Sequence, residues 1–442
     1  MTRVPPKRRI SKLLNQPNIL VQIMGVLSSL TAKAQSEFVD TLAEVASRME
    51  ELLSGQIRRV ERSHDVAWKG VRHRPIAFVD GGMASLEDLG SEPLAVRVGT
   101  YVVIPGESGD GREVFGFAQQ MVAELFEQGS GDSLFEDFSE NAPKLRDAAR
   151  MTLERAGALG LAHERPDLAY MFVHGSLVDP VAPYWGGPDS TAGVPAFSIA
   201  ALQRMGISIA KVEEVVGKRQ GNECQHLVSI QRYLVNSLFR LPFPVTGIVE
   251  RASPSRIVTA AILDELEIGK SIANKEARQL KELMRDYRIS DTILFGCLLE
   301  EGQYIVARRI DKNAVSKSPD VWKTVLAAFD QPWTTYVRPT EEVLPFRVET
   351  TLVGTDPSYA ELMRLVVHMS RLLPRYGFPV GLDIVDRHAK IPAWMSRQIR
   401  RELSAGLLRI AMESKDPRQL QIIRNRLLMQ KRDIFFRPGT DW

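Results

Sequence analysis

The stretch Pro75-Ile76-Ala77-Phe78-Val79-Asp80-Gly81-Gly82 decides the reading of the fold. Its apolar run has the length of a buried strand, and it stops in Asp-Gly-Gly, the residues of a tight turn. The sequence beyond it stays β-rich. Val96, Val98, Tyr101, Val102 and Val103 lie between Leu94 and Ile104, with Gly99 inside, and Val114 to Phe117 adds another strand. This succession predicts the antiparallel portion of a mixed sheet. Leu168 to Val173 forms a second buried strand, which runs into His174-Gly175-Ser176-Leu177. Both strands thus end in a polar residue followed by glycine. At a strand end rigid backbone meets solvent, so a side chain is held in place yet can reach a ligand, and glycine lets phosphate or backbone come close.

Helices complete an α/β pattern. Pro143 to Gly157 places Leu145, Ala148, Ala149, Leu153 and Ala156 on one side, with Glu154 near the end, and Phe117 to Glu127 reads as a short helix. The apolar run Val380 to Val385 leads to a third polar tip, Asp386. Asp80 taken alone is a turn-forming aspartate; Glu154, His174 and Asp386 in its company raise the weight of a site. Upstream, Gln35 to Ser63 reads as one long amphipathic helix carrying Phe38, Leu42, Val45, Met49, Leu52 and Val60. Near the other end, Asp416-Pro417 has the chemistry of a helix N-cap and first position, ahead of Leu420, Ile422, Ile423, Leu427 and Leu428. The expected organisation is a basic arm and long amphipathic helix over 1–70, a large domain with helical insertions over 71–395 and basic helices over 396–442.

The chain has 442 residues, 44% of them hydrophobic and 25% charged, which excludes collagenous, low-complexity and wholly disordered classes. Cys224 and Cys297 are too few for a disulfide framework or a cysteine zinc cage. Leu13 to Ala32 carries no charge, but Asn15, Gln16, Pro17, Asn18, Gln22, Ser28 and Ser29 interrupt it, so neither a signal nor a span is expected and the cytoplasm is the default. The net charge of +3 hides an uneven distribution. Arg3, Lys7, Arg8, Arg9 and Lys12 make the start basic, eleven Lys or Arg follow from Arg397 onward, and residues 81–180 hold seventeen acids against seven bases. Carboxylates between basic ends suit a metal-dependent phosphodiesterase, in which cations hold phosphate and carboxylates hold metal.

Several of these segments together resemble the NurA nuclease domain family, whose members work beside a hexameric HerA-type ATPase on DNA ends. The carriers, in chain order between about Pro75 and Ile391, are Phe78-Val79-Asp80-Gly81-Gly82, Leu153-Glu154, Phe172 to Leu177, Gly247-Ile248-Val249-Glu250-Arg251, Tyr336 to Glu349, and Gly377-Phe378-Pro379 leading to Asp386-Arg387-His388-Ala389-Lys390-Ile391. The resemblance implies an RNase H-like mixed sheet with flanking helices, a DNA substrate, Mn²⁺ or Mg²⁺ as cofactor, and a homodimer seated on the ATPase. Asp80 matches the family's first catalytic aspartate, Glu154 its helix glutamate and Tyr336 its site tyrosine.

Two positions depart from the pattern. His174 stands where the family has its second aspartate, and Asp386 where it has a histidine, so the two types are exchanged; a shift of two residues would bring His388 to that place instead. The inventory of Asp80, Glu154, His174 and Asp386 still suits Mn²⁺ or Mg²⁺. The rival reading is a silent subunit that regulates or clamps the ATPase motor. Arg251, Arg338 and Arg347 are the candidate DNA contacts, and Asp179 is a further carboxylate more simply read as a loop residue. His368, in an apolar stretch, reads as a satisfied helix residue. Gly186-Gly187 lacks the Gly-Lys-Ser/Thr of a phosphate loop, so any motor has to come from a partner.

Overall fold

The two buried runs that end in Asp80 and His174 lie side by side as parallel strands, with Phe78 opposite Phe172 and Val79 opposite Val173. The computed structural model describes residues 26–27, 38–61, 63–85, 93–124, 138–178, 227–250, 255–311, 327–413 and 416–425. Its elements, in chain order, are α1 (Asp40–Leu52), β1 (Ile57–Arg59), α2 (His64–Lys69), β2 (Ile76–Ser85), β3 (Pro93–Val103), β4 (Glu113–Glu124), α3 (Phe138–Glu164) and β5 (Tyr170–His174). They continue as α4 (Leu227–Leu238), β6 (Val245–Val249), α5 (Ile257–Ile268), α6 (Asn274–Asp286), α7 (Asp291–Leu298), β7 (Gln303–Ile305), β8 (Arg308–Arg309), β9 (Trp333–Arg338), β10 (Phe346–Thr350), α8 (Ser358–Arg371), α9 (Val380–Ala389) and α10 (Ala393–Glu413).

The chain divides into two compact units, Met1–Ile57 with Ala252–Leu299, and Arg58–Arg251 with Glu300–Trp442. In the first, α1 packs on α6 and α7, and Val45, Met49, Leu280 and Met284 are buried. The buried Asp291 carboxylate accepts from the backbone N–H groups of Val258 and Thr259, satisfying donors that the first turn of α5 leaves open.

The second unit carries a mixed sheet of ten strands in the order β1-β7-β9-β10-β6-β5-β2-β3-β4, with β8 pairing to β9. Successive side chains of a strand point to opposite faces, and two cores follow from this. Ala77, Val79, Met171 and Val173 pack with Leu153 and Ala156 of α3 and Ile230 and Leu234 of α4. Phe78, Phe172, Ile248 and Val348 pack on the other face with Leu362 and Val366 of α8 and Leu382 and Val385 of α9. The phase of β2 and β5 therefore sends Asp80 and His174 to the α9 face.

Four expectations change. Asp80-Gly81-Gly82 is no turn, because β2 runs on through it to Ser85, paired residue by residue with β3. Of the expected helix over Phe117–Glu127, the described part up to Glu124 belongs to β4, since β3 offers it a continuous backbone partner. The long amphipathic helix shortens to Asp40–Leu52; Leu53 and Ser54 close it with bonds back to Met49 and Glu51, and Ile57–Arg59 is a strand. The run Val380–Val385 is helical, a short apolar run being ambiguous by itself, and Leu382, Val385 and Ala389 line the buried side of α9. The N-terminal arm, Arg251, Asp179, the Gly186-Gly187 turn and Cys224 lie outside the described residues.

The helix α9 lies close on the sheet because Gly381 faces the Phe78 ring, where a Cβ would overlap its edge atoms. Gly381→Ala should lower stability by about 1–3 kcal/mol through overpacking, read as a reduced urea midpoint with an unchanged slope.

Candidate functional site

The site forms where β5 ends and β2 continues. Pairing of β2 with β5 stops at Val79–Val173, so Asp80 sits on a strand still anchored by β3 but bare on its other side. Its carboxylate is buried; Oδ2 lies 2.9 Å from His174 Nδ1 and Oδ1 accepts from the Gly81 N–H at 2.7 Å. Asp386 comes from α9. One ligand atom from each of Asp80, His174 and Asp386 lies within 4.8 Å of the others. Two carboxylates and an imidazole at this separation fit a divalent cation such as Mn²⁺ or Mg²⁺.

The electrostatics match a carboxylate-rich centre. Burial works against a charged His174, but the hydrogen bond to Asp80 and the charges of Asp80, Glu154 and Asp386 outweigh it, so the imidazole titrates above its ordinary value. Asp386 is ion-paired with Lys390, one turn along the same helix. Glu154 belongs to the opposite face. It leans on the backbone at Gly81, where a Cβ would meet its Cγ at 2.5 Å, and it pairs with Arg150 one turn back on α3. Burial pushes its carboxyl up to about 7, with Arg150 pulling down and Asp80 pushing up. The structure thus brings Asp80, His174 and Asp386 together and sets Glu154 beside them, turned onto an arginine.

His174 is held by a braced turn. The buried Glu349 of β10 accepts from Ser176 Oγ at 2.8 Å, from the Leu177 N–H at 3.0 Å and from Arg347 Nε at 2.7 Å. Arg155 of α3 donates through Nε to the Leu177 carbonyl at 3.2 Å. Arg347, expected as a DNA contact, is consequently buried and committed to Glu349. Arg338 is partly exposed and donates to the Glu341 carbonyl.

Tyr336 stands apart from the cluster. It is fully buried and lies opposite Arg347, which neighbours Val348 in β10; Val348 faces the α9 core, so Arg347 and Tyr336 face the other side. Three strand steps, about 14 Å at ~4.8 Å each, also separate β9 from β5. A tyrosine on the cluster's side of the sheet is Tyr376, which nothing in a lone Tyr-Gly-Phe-Pro marks. Its ring lies 5.7 Å from Phe378, whose own ring is 5.3 Å from His174. Burial, a hydrogen bond to Glu250 and the charges of Glu250, Asp383 and Asp386 push its hydroxyl up to about 12. His388 points elsewhere, with Nε2 donating to the Gly116 carbonyl, so Asp386 is the α9 member of the cluster. His368 is a satisfied helix residue, its Nε2 3.2 Å from the Glu61 carbonyl.

Removing Glu349 would strand Arg347 without its carboxylate in the interior and free the turn that carries His174. Glu349→Ala is expected to cost about 3–5 kcal/mol of stability, measured by chemical denaturation, whereas exposed surface substitutions stay near zero.

Residues 74–391 match the family model described as NurA domain. No curated protein gives a significant match. Among solved structures, the chain is similar to the NurA nuclease from Sulfolobus solfataricus at 14% identity, covering 92% of this chain and 98% of that one with a TM-score of 0.45. It is also similar to NurA bound to dAMP and manganese, at 12% identity over 86% of this chain and 94% of that one with a TM-score of 0.41. A third, NurA with manganese, shares 10% identity over 84% and 97% with the same TM-score of 0.41. With the matched segment spanning most of its length, and Asp80, His174 and Asp386 all inside it, the chain belongs to the NurA domain family.

Proposed function

We propose that this chain is a metal-dependent deoxyribonuclease that hydrolyses phosphodiester bonds, with Mn²⁺ or Mg²⁺ held by Asp80, His174 and Asp386. The observation that carries the reading is the meeting of these three side chains within a NurA domain. When bound, the ion supplies Lewis acidity toward water and phosphate. Asp80 is the rigid ligand, fixed by β2 and by the Gly81 N–H. The bond between His174 Nδ1 and Asp80 leaves Nε2 as the nitrogen with an available lone pair. Asp386 turns from Lys390 to serve as ligand, and the exposed ammonium is then placed to meet a phosphate. Glu154 is the third carboxylate; it joins as ligand or proton acceptor through Oε2, the oxygen that Arg150 does not hold.

The wider reading follows the family. The segment 71–395 is taken as an RNase H-like nuclease domain, and the basic segments 1–70 and 396–442 as docking or DNA-contacting arms. The partners are DNA, a second copy and a HerA-type hexameric ATPase, in cytoplasmic end processing or anti-phage defence. Arg338 and Arg251 are the arginines proposed to touch DNA. Among the described residues no helix is long and apolar enough to cross a membrane.

Purified protein with Mn²⁺ and a HerA-type ATPase should degrade linear and single-stranded DNA. Asp80→Asn should reduce cleavage by more than the roughly 10–100-fold that loss of an outer partner of a metal ligand costs, with the fold retained by circular dichroism. Intact DNA in the unsubstituted reaction would sink the proposal in favour of a silent motor-regulating subunit.

Proton and metal compete for His174. Its raised pKa means that Mn²⁺ affinity, measured by isothermal titration, should climb as pH rises through that raised value, later than for an ordinary histidine. Without metal the sign reverses. The Asp80–His174 pair stabilises the chain at low pH, and that contribution fades as pH rises through the raised value. His174→Asn should flatten both profiles.

A further inference from the structure

The guanidinium of Arg97, on β3 opposite Gly82 of β2, is spent on one end of α9. Nε donates to the Ala389 carbonyl at 3.1 Å, and Nη2 donates to the carbonyls of His388, at 2.6 Å, and Lys390. These are the acceptors that a helix C-terminus leaves open, at the negative end of its dipole. Among the described residues Arg97 forms no ion pair, and its charge lies 4.8 Å from the Phe117 ring centroid. The same helix end is gripped from β4. The His388 ring stacks on Phe117 at 4.2 Å and its Nε2 donates to the Gly116 carbonyl at 3.1 Å. Beneath it, Gly82 has no side chain, and a Cβ there would collide with the Ala389 carbonyl.

Asp386 lies two residues before His388, about 200° round the helix and only about 3 Å along its axis. Fixing His388 toward β4 therefore turns Asp386 toward β5 and His174. We propose that Arg97 is a positioning residue for the metal centre, clamping the C-terminal end of α9 onto β2 and β3 so that Asp386 is presented to Asp80 and His174. This rests on the metal-dependent reading above. A residue that only stabilised the fold would leave cation affinity alone once the chain was folded. A positioning residue acts on affinity first.

The test is Mn²⁺ affinity, read by electron paramagnetic resonance titration of the full chain, together with the Mn²⁺ dependence of DNA cleavage. Arg97→Ala should weaken Mn²⁺ binding by about tenfold or more, the range for loss of an outer partner of a metal ligand. Raised Mn²⁺ should restore kcat, with KM for DNA unchanged. Gly82→Ala, which pushes the Ala389 carbonyl away while keeping the arginine, should weaken Mn²⁺ in the same way, and it decides the matter if Arg97→Ala does not fold. Mn²⁺ affinity within about twofold of the unsubstituted chain in either folded variant overturns the proposal. An unsubstituted chain that binds no Mn²⁺ overturns the metal-centre reading itself, and this inference falls with it.

Discussion

The separation between α9 and the β2–β3 pair governs the site, because Asp80 is fixed on the sheet while Asp386 arrives on a helix. Side chains of ordinary size between the two layers would hold the helix further from the sheet and shift Asp386 relative to Asp80. The sequence removes those side chains where the helix passes. Gly381 gives way to Phe78 at one end of α9 and Gly82 to the Ala389 carbonyl at the other. The Asp80-Gly81-Gly82 triplet thus serves two layers at once. Gly82 admits α9 on one face, and Gly81 admits Glu154 of α3 on the other.

This arrangement also explains why the cluster lies at the end of β5. A parallel neighbour that extended past His174 would cover Asp80, and β2 without β3 would leave Asp80 on a fraying end. Instead β2 outruns β5 while β3 keeps it ordered to Ser85. The turn after His174 is fixed from two sides, by Glu349 across the sheet and Arg155 from α3, so the imidazole does not depend on loop rigidity. Buried ion pairs seldom add much net stability, yet losing one partner is costly, and Arg347–Glu349 has the character of a device for specifying one turn geometry.

Phe78-Val79-Asp80 and Phe172-Val173-His174 can be read from sequence because a short apolar run with a polar end is a local signal. The helix that carries Glu154 follows from its own apolar spacing, whereas the pairing of the two strands as neighbours is visible only in the sheet. What lies beyond local signals is relative phase. The opposite faces of Tyr336 and Asp80 depend on four strand registers, and the commitment of Arg347 to Glu349 depends on their sharing a face in β10. Val380–Val385 fits strand or helix equally by composition, and only the spacing of Leu382, Val385 and Ala389 against the sheet settles it. Tyr376 has no local signature because its surroundings come from Glu250 and Asp386, which other segments place near it.

Charge at the site follows a consistent rule. Asp386 is neutralised by Lys390, Asp383 by Arg387 and Glu154 by Arg150, each a cation one turn away on the same helix. Such pairs form locally, whatever the tertiary structure, and the exposed ones are worth little. Asp80 differs, being on a strand, where no such neighbour exists; its partner is an imidazole from the next strand. An imidazole gives up its proton within the physiological range, whereas lysine and arginine do not. The near-neutral total of the chain therefore says little about its centre. Placing Asp80 on the sheet with His174, and the other carboxylates on helices with fixed cations, makes Asp80–His174 the pair at which a second positive charge is most readily exchanged for a proton.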